Sequence, residues 1–276
     1  MNRLLVLLLA LLMLTGCATM QGKVPDHVRP MVAAQELDSA ELLDVAIVIF
    51  DSDELTDKEI SGLGLSEEIR RAEERYVPIQ LKYTMQRTGY WGAVRVVPAP
   101  SKAHLQVRGT IVYSDGERLT LEIEAYDSRN VKWFEKSYSE ELRLSEYSGI
   151  APEKKDPFQD VYNTIANDLA AHREELTAED FRQIQQVSEL RAAHDMAPDA
   201  FDGHLELDKD GNYEIVRLPA ESDPMLQRVR AIQLRDDMLV DTINSYYEAY
   251  YNDLWQPYSD WRKLYSEELV AMKEVK

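Results

Sequence analysis

Residues that could do chemistry are plentiful in this chain, yet few stand at spacings that chemistry requires. The five histidines, His27, His104, His172, His194 and His204, lie far apart, without H-E-x-x-H or another zinc-ligand pattern. No serine occupies a G-x-S-x-G turn, and no glycine-rich loop could cradle a phosphate or dinucleotide. No cofactor is therefore expected. Asp208, Asp210, Asn212 and Glu214 place four oxygen-bearing side chains at alternate positions, as the start of a calcium loop does. The glycine of that run, Gly211, comes at the fourth place instead of the sixth, and Pro219 stands where a bidentate Glu would close the loop. An acidic hairpin turn is the expected structure. Carboxylates such as Glu122, Glu124, Asp208 and Asp210 could serve a paired-carboxylate hydrolase if the fold brought two of them to glycosidase distances.

Aromatic residues form the other candidate site. Tyr246, Tyr247, Tyr250, Tyr251, Trp255, Tyr258, Trp261 and Tyr265 crowd one stretch. Tyrosine and tryptophan suit both a packed boundary and a recognition surface. Tyr247, Tyr251 and Trp255 are expected to face solvent or a protein partner. The seam Met225, Val229, Ile232, Leu239, Ile243, Tyr246 and Tyr250 steps by three and four, with Asp236 where an apolar residue was due. An ionised carboxylate there needs a partner or water, and Arg230 and Arg235 are in reach.

The elements that must position these residues are legible in the pattern. Asp44 to Phe50 is a β-branched run and reads as a buried strand. Ser66 opens a helix that runs to about 88, with Pro78 a kink or restart, and Ala93 to Val97 is a second strand. Leu105 to Tyr113 and Leu119 to Ala125 alternate apolar and polar residues across Ser114-Asp115-Gly116, a hairpin signal in which glycine tolerates positive φ. Gly109, on the apolar face, marks a close backbone approach or a bulge. A third strand follows Ser128-Arg129-Asn130. Helices begin at Asp156-Pro157, at the capping-box-like Thr177 to Asp180 and at Asp223-Pro224, and Pro257 is expected to end the last long run. The fold class expected is α+β: an antiparallel sheet with helices on one face, then a mainly helical C-terminal region. The expected segments are 1–16, 17–40, 41–150 and 151–276, with a short hairpin near 204–218.

The amino terminus carries an address. Arg3 precedes a run of apolar residues from Leu4 to Leu14, followed by Leu14-Thr15-Gly16-Cys17. The run is shorter than the ~20 residues that span a bilayer. Its charged, apolar, small-residue order is that of a secretory signal. The motif resembles the lipobox of bacterial lipoproteins, which implies cleavage after Gly16 and acylation of Cys17. Residues 1–16 would then be a signal peptide and 17–40 a lipidated tether. Ala18, where retention in the inner membrane typically requires Asp, implies the outer membrane with the body facing the periplasm. Cys17 is the only cysteine, so no thiol would remain for a disulfide, a metal or catalysis.

The region 44–140 is similar in layout to the curli-secretion lipoproteins, the penicillin-binding-protein activators and the amino-terminal domain of the Tol translocation protein. Val107-Arg108-Gly109-Thr110-Ile111, Asp115-Gly116, the strand Leu121 to Asp127 and Trp133 carry the likeness. It implies a binding and assembly module and transfers no catalytic residue. The charge agrees: 50 Asp and Glu against 31 Lys and Arg repel nucleic acid. The function expected is a non-enzymatic, lipid-anchored envelope lipoprotein that scaffolds or regulates an envelope protein assembly. A cell-wall hydrolase is the alternative. The membrane, through the lipid, and an envelope protein are the expected partners.

Overall fold

The computed structural model describes residues 21–25, 27–52, 67–142 and 156–274. The Leu14–Cys17 motif, Ala18 and Ser66 lie outside the described residues. The elements are β1 (Gln21–Lys23), β2 (Val45–Val48), β3 (Asp51–Ser52), α1 (Glu67–Gln86), β4 (Val94–Val97), β5 (Leu105–Ser114), β6 (Arg118–Asp127), β7 (Lys132–Glu141), α2 (Gln159–Glu174), α3 (Ala178–Met196), α4 (Pro198–Phe201), β8 (Leu205–Leu207), β9 (Tyr213–Ile215) and α5 (Pro224–Glu274). Strands β1 to β7 form one sheet in the order β1-β7-β6-β5-β2-β4, with β3 on β5. The fold is α+β.

The alternating runs make the antiparallel meander β5-β6-β7, in which Gly109 faces Ile123 and Ile111 faces Leu121. Leu121, Ile123 and Ala125 are fully buried, while Glu122 stands on the opposite, open face. The rest of the sheet differs from the antiparallel expectation: β2 pairs β4 and β5 in parallel, β3 pairs β5 in parallel, and β1 pairs β7 in parallel. The physical reason lies in β2 and β4. Both are short β-branched runs buried under helices, and parallel strands joined by a crossover helix, here α1, are covered in this way.

Gly109 does mark a close approach. A Cβ there would lie 2.6 Å from the Phe50 ring, and the irregularity of β5 falls instead between Ile111 and Tyr113. Gly116 is not held at positive φ, unlike Gly89, Gly203 and Gly211. Its small size is required by α5, because a Cβ would come within 2.5 Å of the Arg262 carbonyl oxygen.

Two further expectations change. The chain is no free tether up to residue 40: β1 takes the open edge of β7, and Val24 is buried. Pro78 and Pro257 sit inside continuous helices. A proline in a helix interior costs about 3 kcal/mol. Burial on both sides of each proline, by Tyr76, Val77 and Ile79 and by Trp255, Tyr258 and Arg262, offsets it. The helical C-terminal region shares the main core with the sheet: Val161, Tyr162, Ile165, Tyr251, Trp255 and Tyr258 pack in one cluster with Val107 and Leu121.

The seam of α5 is rotated by about one residue from the apolar pattern. The inward positions are Leu226, Val229, Asn244, Tyr251, Trp255, Tyr258, Arg262 and Ser266, whereas Ile232, Leu239 and Tyr246 are exposed. The cause is polar residues that face inward and find partners. Asn244 Nδ2 donates to the Val96 carbonyl at 3.0 Å, and its Oδ1 accepts the Val96 N–H at 2.8 Å. One side chain thus acts as a partner strand for β4, closing the sheet edge that would otherwise be open. Farther along, Arg262 donates to Asp156 at 3.2 Å, Tyr76 donates to Asp156 at 2.9 Å, and Tyr258 and Ser114 donate to Glu73. Burial pushes the Glu73 carboxyl up, against the opposing pull of Arg262.

Candidate binding cleft

The first half of α5 crosses the β4 edge and, with α3 and the 98–104 loop, encloses a cleft of about 760 Å³. Asp44, Arg95, His104, Glu189, Asp236 and Asp237 are among its walls. Asp44 sits at the entry to β2, where its Oδ1 accepts the Ala93 N–H at 2.7 Å; Gly92 leaves the room for it. The Asp44 N–H in turn donates to His104 Nδ1 at 2.9 Å. That bond places the proton of the neutral imidazole on Nε2, so the ring is a donor to the cleft and not a base. Burial holds the His104 pKa below its ordinary value, opposed by Asp44 and Asp237.

Arg95, on β4, organises the acidic wall. Its Nε donates to Asp241 at 2.6 Å, and its Nη1 lies 3.7 Å from Asp237 and 3.9 Å from Asp44. The hydrogen bond from Arg95 holds the Asp241 carboxyl down, whereas burial raises that of Asp237 despite Arg95. Lys102 pairs with Asp195 on the far wall, and burial lowers its pKa. The cleft thus offers carboxylates, a fixed imidazole N–H and a clamped guanidinium. It is suited to hold a polar group by hydrogen bonds. Beside it, Ile232, Leu239 and Tyr246 form an outward apolar stripe at seven-residue intervals, between 39% and 71% exposed.

The residues singled out from sequence fall elsewhere. Tyr251 and Trp255 are buried around Tyr76, with ring centroids 5.0 and 6.3 Å from it, and Tyr247 is half-buried against the same core. They do not face solvent, because the helix turns its mixed face inward. Asp236 is exposed at the cleft rim, and Arg230 pairs with Glu189 in place of Asp236. Asp208 uses both carboxylate oxygens within its own turn, accepting the Asp210 and Asn212 N–H groups at 2.8 Å and the Asn212 amide at 3.0 Å. Among the described residues, no group of three or more His, Cys, Asp or Glu is arranged to hold a metal. Glu122 and Glu124 lie on β6, and Asp208 and Asp210 in the β8–β9 turn; none of the four lines the cleft.

Sequence reasoning missed Asp44, Arg95, His104 and Asp237. The available signal was the density of acid at Asp236, Asp237 and Asp241, which no apolar seam accommodates. Lipidation of Cys17 falls outside the described residues. No helix among the described residues is long and apolar enough to cross a membrane.

The chain is thus an α+β protein with a mixed sheet and a polar cleft at one sheet edge. No family model and no curated protein matches it. Among solved structures it is similar to the PelC dodecamer from Paraburkholderia phytofirmans, at a TM-score of 0.28 and 13% identity over 54% of this chain and 98% of that one. Protein XCC0632 from Xanthomonas campestris, of family model DUF330, has a TM-score of 0.26 and 8% identity over 54% of this chain and 90% of that one.

Proposed function

We propose that this protein is a non-enzymatic, lipid-anchored lipoprotein of the outer membrane, facing the periplasm, which scaffolds or regulates an envelope protein assembly. The lipobox-like Leu14-Thr15-Gly16-Cys17 supports the address. The observation that carries the scaffold reading is the first half of α5, which presents an exposed apolar stripe beside an acidic cleft. Apolar residues aligned on an exposed face favour a protein partner, and the cleft supplies hydrogen-bonding groups along its margin. His104 accepts the Asp44 N–H at Nδ1, and Arg95 is held among Asp241, Asp237 and Asp44, which leaves the cleft acidic and lined with hydrogen-bonding groups suited to recognition.

Two measurements test this reading. Cys17→Ser should leave the precursor unprocessed and without lipid, because only the thiol can be alkylated; normal maturation of that variant would end the lipoprotein reading. A photo-crosslinker at Tyr246 in intact envelopes should trap one discrete envelope protein, and Asp237→Lys should weaken the adduct. Cleavage of cell-wall glycan by the purified protein, lost in Asp237→Asn, would instead favour the hydrolase.

A further inference from the structure

The hairpin β8–β9 takes no part in the cleft, and its two edges differ. The Asp208 N–H donates to the Asn212 carbonyl at 2.9 Å, and the Val216 N–H donates to the His204 carbonyl at 3.0 Å. With this register the even-numbered residues are the hydrogen-bonded pairs of the ladder. Leu205 and Leu207 on β8, and Tyr213 and Ile215 on β9, therefore turn their N–H and carbonyl groups outward. The β6–β7 turn covers the β9 edge: the Tyr213 N–H donates to the Arg129 carbonyl at 2.7 Å, and Asn130 donates to the Gly211 carbonyl at 3.1 Å. At the β8 edge, no hydrogen bond from outside the hairpin reaches the backbone of Leu205 or Leu207 among the described residues. An open edge of this kind is a template for another strand.

The surroundings of this edge define what it can take. Side chains alternate, so Leu205, Leu207, Tyr213 and Ile215 share the face toward α3, where Leu205 and Ile215 pack with Leu190 and Ala193. A cavity of about 270 Å³ opens there, with Leu205, Leu207 and Tyr213 on the hairpin side and Arg191 and His194 on α3. Arg191 is already engaged, donating to the Ser128 carbonyl at 2.6 Å with its guanidinium over the Tyr213 ring. Leu207 is 59% exposed beside it. The opposite face of the hairpin is acidic. Glu206 and Glu214, both exposed, stand directly across from each other, a pairing of like charges that is destabilising. From 204 to 218 the carboxylates of Glu206, Asp208, Asp210 and Glu214 outnumber two cations, Lys209 in the turn and Arg217, which reaches back to the Asp202 carbonyl at 3.2 Å.

We infer that the open edge of β8 binds an extended segment of a partner protein as a third strand, one in which basic and apolar side chains alternate. The N–H and carbonyl groups of Leu205 and Leu207 pair with its backbone, which supplies affinity, and the alternating side chains supply specificity. Its apolar side chains fall toward α3, against Leu207 and the cavity. Its lysines or arginines fall beside Glu206 and relieve the repulsion from Glu214. A second copy of this chain does not fit, because β8 paired with itself about Glu206 or Leu207 sets Glu206 against Glu206 or Asp208 of the other copy. The surface is distinct from the cleft, although Lys102 and Asp195 border both, and it does not depend on a lipid anchor.

The test uses the full-length protein and a capped peptide, Lys-Val-Lys-Leu-Lys-Val-Lys, with amide hydrogen exchange as the readout. The amides of Leu205 and Leu207 should exchange rapidly in the free protein and several-fold more slowly with the peptide. The Glu206 amide, bonded within the hairpin, should change little. A peptide of the same composition with its lysines grouped at one end, and a fully N-methylated one, should give no protection. Leu207→Pro removes an outward N–H while the bonds of the β8–β9 ladder remain, and should weaken peptide binding several-fold. Protection of Glu206 shows whether that variant keeps its hairpin. Glu206→Lys, which needs no backbone change, should weaken binding of the lysine peptide and strengthen that of its glutamate counterpart. No binding of the alternating peptide, binding without protection at Leu205 and Leu207, or equal protection by the grouped peptide overturns the inference.

Discussion

The two halves of α5 are parts of one 51-residue helix, yet they do different work. From Tyr251 to Ser266 the helix is part of the core: Tyr251, Trp255 and Tyr258 surround Tyr76, and fully buried Arg262 reaches Asp156. From Pro224 to Tyr246 it is attached at a few points, chiefly Leu226 and Val229 on α3, Arg230 to Glu189, Asp241 to Arg95 and Asn244 to β4. Both halves are amphipathic by count. What separates them is the chemistry of the inward face, which in one half is aromatic and ionic, and in the other leaves a polar cleft open. An apolar stripe on a helix is therefore a poor guide to the side that is buried when inward polar groups have partners.

The largest effect should come from the second half. Replacing Tyr247, Tyr251 and Trp255 with serine removes two buried rings and one half-buried ring. Truncating a buried large aromatic costs about 3–5 kcal/mol, and the whole stability of a domain is about 5–15 kcal/mol. The triple variant should not fold, as read by circular dichroism and urea titration; a melting temperature near that of the parent would show that these rings are not core. Arg262→Met should follow. It leaves the Asp156 carboxylate in a dry site without its cation, at about 3–5 kcal/mol. Asp156→Asn in the same background should recover part of that loss, which a purely steric fault at position 262 would not allow.

Asn244→Leu addresses the junction between the halves. It leaves the Val96 N–H and carbonyl without their partner and removes one of the two acceptors of Lys82, which donates to Asn244 at 3.1 Å and keeps Glu248 at 2.7 Å. A buried unsatisfied polar group costs about 1–3 kcal/mol. Hydrogen exchange should quicken at Val96 before it does in β6. Equal exchange at both would mean that α5 does not guard the β4 edge.

Acidity should separate the halves by sign. The native pKa of Glu73 is raised above 4.5, so from that pH upward the folded state holds more protons than the unfolded chain. Its contribution is lost as pH rises through the native pKa. The native pKa of His104 is lowered below 6.5, so the unfolded chain binds more protons below that pH, and stability falls as pH drops. In urea midpoints against pH, Glu73→Gln should abolish the first slope and His104→Gln the second. A single slope unaffected by either variant would refute both assignments.

The meander, the helices capped by Thr177 and Asp223, and the buried character of β2 were all legible, because alternation, capping residues and β-branching are local signals; the helix expected from Asp156 begins at Gln159, since Asp156 accepts the Phe158 N–H in the turn before it. Thr177 indeed closes a capping box with Asp180, whose carboxyl is held down at about 2 by that bond and by Arg129. Less legible were features set by distant partners. The joining of β1 to β7 depends on an open edge more than a hundred residues away, and Gly116 is small because of the α5 backbone and not because of its turn. The cleft was hidden for the same reason. His104 and Arg95 are ordinary in sequence and acquire roles only when α5 brings Asp237 and Asp241 over the β4 edge.

The smallest effect on stability should accompany the largest effect on recognition. Ile232, Leu239 and Tyr246 are 39%, 61% and 71% exposed, and none belongs to either core cluster. Surface substitutions of this kind change stability by about 0.5 kcal/mol or less each. Replacing all three with serine should leave the melting temperature within a few degrees of the parent and the cleft intact. If the stripe is where an envelope protein sits, the photo-crosslinked adduct from a neighbouring position such as Arg235 should then disappear. Retention of the adduct at full yield would move the contact to the cleft itself. A marked loss of stability would show that the first half of α5 is held to the body by more than the few attachments described above, and the contrast between the two halves would fail.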